Sequence, residues 1–129
     1  MNHIPDVAKQ TDWLLKQASL ESLHSPNAWH WLEAAHIVGQ TQFLLHSRVH
    51  WHMLRRATKQ DNWAEVYAQL MRLLLVPLGH LSQRLPLGNP GSSRINAFQP
   101  MPIPAHLSIL IMQSRNIGTV QTPLKLPIP

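Results

Sequence analysis

The chain has no cysteine among its 129 residues. Disulfides, thiolate zinc sites, iron–sulfur clusters and thiol catalysis are therefore excluded. A long hydrophobic run is missing too. The longest apolar stretch, Leu70 to Leu78, is interrupted by Arg72 and Pro77, and a bilayer span needs roughly 20 apolar residues. The first residues, Met1 to Asp6, lack the basic-then-apolar order of a secretion signal. These absences predict a cytoplasmic chain with no membrane segment.

Acidic residues disappear from the second half. Residues 1–65 hold six Lys/Arg and all six Asp/Glu, so they sum to zero. Residues 66–129 hold Arg72, Arg84, Arg94, Arg115 and Lys125 without an acid, so the net charge of +5 sits entirely there. Such asymmetry invites an anionic partner. The cations are scattered rather than clustered, which counts against nucleic acid.

Proline is scarce at first and dense later: only two of eleven lie before residue 77. Residues 6–76 are thus open to helix, and the rest is punctuated by turns. Val7, Thr11, Leu14, Leu15 and Ala18 share one face of a first helix over about 6–23. Ser25 as N-cap and Pro26 as first helical residue start a second over 26–39. Its stripe of Ala28, Leu32, Ala35 and Gly39 suits close packing. A third, over about 42–59, carries Leu45, Val49, Met53 and Ala57. A fourth, over about 62–76, starts at Asn62 with Glu65 three residues on. Its core face is expected to be Val66, Leu70, Leu73 and Leu74, and Pro77 is expected to break or kink it. The segment 85–104 is extended and turn-rich, 105–114 is a short apolar element, and 116–129 is a loosely held tail. The predicted fold is all-α: a compact antiparallel bundle of four or more helices with a proline-rich C-terminal wrap, one domain over 1–115. Trp29, Trp31, Trp51 and Trp63 are read mainly as core.

The chemistry-bearing residues are histidines. Five of the nine lie between residues 30 and 52. His46 and His50, four apart, share a helix face, as do Glu33 and His36, three apart. If the chain reverses near Gly39-Gln40-Thr41, His36 comes level with His46 and Glu33 with His50. Glu33, His36, His46 and His50 then form a candidate metal site, three nitrogens and one oxygen, suited to zinc, iron or copper. If residues 28–57 were one unbroken helix, His36 and His46 would lie about 15 Å apart and the site would vanish. The Glu-x-x-His pair occurs once, whereas a di-iron bundle needs it twice.

No serine occupies a nucleophile-elbow context and acids are few, so no catalytic residue is assigned and an enzyme is not the expectation. The loop Gly88-Asn89-Pro90-Gly91-Ser92-Ser93-Arg94 lacks the Gly-Lys-Ser/Thr ending of a phosphate loop and reads as a structural turn. Gln69 and Arg72, a turn apart on the fourth helix, are placed to bind its carbonyls.

Several pieces stand out together: His36-Ile37-Val38-Gly39-Gln40; His46 with His50-Trp51 and Met53; Gln69 with Arg72; Pro86-Leu87-Gly88-Asn89 and Gly91; and Phe98 with Pro100-Met101-Pro102-Ile103-Pro104. In these the chain resembles a family of small bacterial proteins known as a domain of unknown function, over roughly residues 28–110. Pro90 and Ser92 depart from that pattern. The resemblance implies a helical fold and brings no activity. Residues 28–75 also resemble a tetratricopeptide-type array, which implies a partner protein. Three functions follow: a metal-binding helical protein, a protein-interaction module, and a basic nucleic-acid binder. The oligomeric state stays open.

Overall fold

The computed structural model describes residues 6–117. Five helices follow one another: α1 (Val7–Leu20), α2 (Pro26–Gly39), α3 (Phe43–Lys59), α4 (Trp63–Ser82) and α5 (Ala105–Arg115). Their starts follow from local chemistry. Asp6, Ser25 and Asn62 accept from the backbone N–H of Lys9, Asn27 and Glu65, satisfying donors that a helix N-terminus leaves orphaned. The helix expected to reach residue 23 ends at Leu20, because Glu21 is already extended. Arg56 from α3 then gathers the carbonyls of Ala18, Ser22 and Leu23 at 2.8–3.1 Å.

From α1 to α4 each helix packs on the next, and α5 closes the bundle against α1 and α2. The fold is thus an all-α bundle, and the proline-rich segment after α4 wraps back over it. Leu14, Leu32, Val49, Met53 and Leu107 form the centre of the apolar core and are fully or almost fully buried. Among the described residues no helix is long and apolar enough to cross a membrane.

Helix α4 departs from expectation in two ways. It runs through Pro77 to Ser82 and ends on Gln83 in the left-handed region. A proline removes one ladder hydrogen bond, and here that loss does not end the helix. Its inward face is also not the leucine face. Glu65, Val66, Gln69, Arg72 and Val76 are buried, whereas Leu70 is 44 % and Leu74 70 % exposed. The polar side turns inward because it meets polar partners there. Two of the tryptophans differ as well. Trp31 stacks edge-on against Trp13 at 5.6 Å, and Trp29 donates to Gln60 Oε1 at 2.9 Å. Trp51 and Trp63 are more than half exposed. The expected tail falls largely on residues 118–129, outside the described residues.

Candidate metal centre

The chain reverses between Gly39 and Phe43, so α2 and α3 form a hairpin. His36 near the end of α2 then faces His46 and His50 on α3. The Nε2 atoms of His36 and His46 are 3.0 Å apart, and those of His46 and His50 are 3.2 Å apart. All three rings are buried, and their ligand-type nitrogens lie within 4.8 Å of one another. Two imidazole nitrogens bound tetrahedrally to zinc at about 2.0–2.1 Å sit roughly 3.3 Å apart, so the observed spacing suits a shared ion.

The other ring nitrogens determine the tautomers. His36 Nδ1 lies 2.6 Å from the Asn89 carbonyl oxygen, which can only accept. His50 Nδ1 lies 2.6 Å from Gln69 Oε1. The Gln69 amide cannot be flipped, because its Nε2 donates to Glu65 Oε1 at 2.7 Å and to the Gly91 carbonyl at 3.0 Å. Neutral His36 and His50 therefore carry their protons on Nδ1 and turn Nε2 lone pairs inward. His46 stands between them and can donate one Nε2 proton at most. Its Nδ1 lies 3.0 Å from His80 Nε2. Each inward nitrogen is thus backed by a partner on the far side of its ring, the arrangement that orients metal-ligating histidines.

The loop after α4 builds much of this backing. Asn89 is buried and its Nδ2 donates to the carbonyls of Asn96 and Gln99 at 2.7 and 2.9 Å. Gln40 ties the loop to α2 through the Pro86 carbonyl and the Gly88 N–H. Gly91 has φ of +84°, and a Cβ there would stand 2.5 Å from the His36 ring. Only glycine allows both that backbone and that approach. Gln69 binds the loop at the Gly91 carbonyl, and Arg72 Nη2 binds it at the Ile95 carbonyl at 2.7 Å.

Burial holds the three imidazoles neutral. It drives His36 well below its usual range, assisted by the neighbouring rings of His50 and His46. It lowers His46 to about 3 and His50 to about 4, the latter with the Gln69 hydrogen bond opposing. Neutral imidazole is the form that binds metal.

Glu33, the expected oxygen ligand, is buried but stands outside this group of ligand atoms. Its surroundings are Arg94, Glu65 and Ser92, since the loop enters on that side. Burial pushes its carboxyl up to about 7, with Arg94 opposing, Glu65 adding and Ser92 opposing. His80 was not anticipated. Ending α4 at Pro77 removes it from view, yet Gln69, Arg72, Val76 and His80 recur at steps of three and four. That spacing places His80 on the same face as residues expected to point at the loop.

Fold and centre together define a small all-α protein built around a buried histidine cluster. The chain belongs to the family described as protein of unknown function (DUF3703), whose profile matches residues 7–111. No curated protein and no solved structure matches it.

Proposed function

We propose that this protein binds a divalent transition metal ion, zinc, iron or copper, through Nε2 of His36, His46 and His50. The observation that carries this reading is the surplus of lone pairs. Two Nε2 lone pairs point at a third nitrogen that has only one proton to share, so a cation is what the centre lacks. With an ion present, His46 can move its proton to Nδ1 and donate to His80. All three ligands then have the same outward support. Glu33 enters the proposal as a nearby buried acid rather than as a ligand.

Zinc, iron(II) and copper(II) added to untagged metal-free protein should raise its melting temperature. By mass action the gain is about 2.7 kcal/mol at 100 times the dissociation constant. The double variant His46→Ala, His50→Ala should show no such rise. A rise of equal size in that variant assigns the metal elsewhere and rejects the reading.

A second reading, attachment to another protein, draws on the outer face of α4. Trp63, Tyr67, Leu70, Leu74, Leu78 and Leu81 are exposed at helical spacing, and the only Asp, Glu, Lys or Arg residues of this helix, Glu65 and Arg72, are buried. A stripe without charge fits a second copy of itself. Sedimentation should then give a dimer that Leu74→Glu returns to monomer. A wild-type monomer at high concentration removes this reading.

A further inference from the structure

His46 and His50 form part of the wall of a cavity of about 330 Å³. Leu75, Val76, Leu85 and Phe98 line much of the rest with hydrocarbon, and the buried Arg72 and the exposed Arg84 line the same space. Arg72 is only 9 % exposed. Nη2 is taken by the Ile95 carbonyl, but Nε is buried with no hydrogen-bond partner among the described residues. No carboxylate pairs with this guanidinium either, since the ion pair found among the described residues is Arg48 with Asp12. Glu65 is the acid whose charge reaches Arg72, and it is committed to Gln69 Nε2 and to the backbone and hydroxyl of Ser93. A buried cation with a donor unused and no anion in contact is costly.

We propose that the cavity binds a small organic carboxylate, its head group held between Arg72 and the ion on His36, His46 and His50, and its short hydrocarbon body laid along the apolar wall. The ion's half of this head-group site rests on the metal reading above; the Arg72 half does not. Three neutral imidazoles leave a divalent ion its full charge, and Arg72 adds one more beside the same cavity. Beside a largely apolar wall that field favours an anion. Arg72 is the buried guanidinium of this wall and Arg84 an exposed one. The hydrocarbon that makes up most of the remaining lining suits a monocarboxylate with a short apolar body better than a phosphate, which has none to lay along it. The volume matches the lower end of small-molecule sites, about 300–1,000 Å³.

Calorimetric titration of hexanoate and of hexanol into zinc-treated and metal-free protein tests this, with bound zinc measured in the same samples. Hexanoate is expected to bind at least about tenfold more tightly than hexanol, and more tightly when zinc is bound. Arg72→Met should weaken hexanoate about tenfold or more while hexanol is unchanged. Because Arg72 also holds the Ile95 carbonyl, a second variant, Ala97→Trp, fills the cavity from the loop. It should abolish hexanoate binding and leave zinc uptake intact. Zinc uptake with no hexanoate binding up to about 10 mM overturns this inference and spares the metal reading. Hexanoate binding that depends on Arg72 in a protein that takes up no zinc supports the carboxylate pocket and overturns the metal reading. Equal binding of hexanoate and hexanol overturns the carboxylate assignment.

Discussion

The bundle has two interiors of opposite character. Between α1, α2, α3 and α5 lies an apolar core, with Leu14, Leu32, Val49, Met53 and Leu107 fully or almost fully buried. Between α2, α3, α4 and the loop lies a polar one, with His36, His46, His50, Gln69, Glu65, Asn89 and Arg72 buried side by side. The first is what binary patterning produces and needs no function to explain it. The second violates the same rule: α4 turns its glutamate, glutamine and arginine inward and leaves leucines outside. Buried polar groups need partners, and most of these have them. The exceptions are the facing Nε2 lone pairs, where the metal is proposed, and Arg72 Nε, on a side chain that also lines the cavity. Departures from local consistency are expected at functional sites.

Substitutions separate the two interiors, and the largest effect on stability should come from the apolar one. Leu32→Ala leaves a cavity at a position 2 % exposed and should cost about 2–5 kcal/mol in a denaturant titration. Metal affinity measured below the unfolding transition should not change. If that affinity collapses, the two interiors are one cooperative unit.

Gln69→Leu acts in the polar interior and should behave in the opposite sense. It frees the His50 tautomer and should lower metal affinity about 10–100-fold, read by competition with a chelator of known strength. Unchanged affinity would mean that the support behind His50 is ornamental. Gly91→Ala meets both a left-handed backbone and the His36 ring. A loss of about 1–3 kcal/mol is expected, together with weaker metal binding.

Acid provides a gentler probe of the metal-free protein. His36, His46 and His50 have depressed pKa values in the folded state. Below the ordinary value of 6.5 the unfolded chain takes up protons that the folded chain refuses until about 4 for His50 and about 3 for His46. Stability is therefore full above that ordinary value and declines as pH falls through the window. Glu33 works against this. Its folded value is about 7 against a usual 4.5, so its contribution grows as pH falls from 7 toward 4.5. Three imidazoles outweigh one carboxyl, and the melting temperature should drop between about pH 7 and about pH 5. A rise over that interval would mean the rings are not buried neutral.

Much of the architecture is legible in the sequence. Ser25-Pro26 and Gly39 bracket α2 where the capping rules put them, and the reversal after Gly39 follows from that bracket. The meeting of His36 with His46 and His50 needed only the hairpin and helical spacing. Other features were hidden because they depend on where the loop docks. Glu33 faces Ser92 and Arg94 because the loop occupies that side, and nothing within α2 encodes this. His80 is in place because α4 continues past Pro77, a tertiary outcome that overrides the local cost of proline. The leucines of α4 misled for the same reason: hydrophobic spacing identified a face but not which face had polar partners waiting.

The most direct test of the central claim is elemental analysis of the untagged protein after zinc loading and exhaustive dialysis, beside the double variant His46→Ala, His50→Ala. The expected result is about one metal ion per wild-type chain, at a site of about three histidine nitrogens, and none in the variant. Metal no higher than background in the wild type, with zinc, iron(II) and copper(II) each tried, would contradict it.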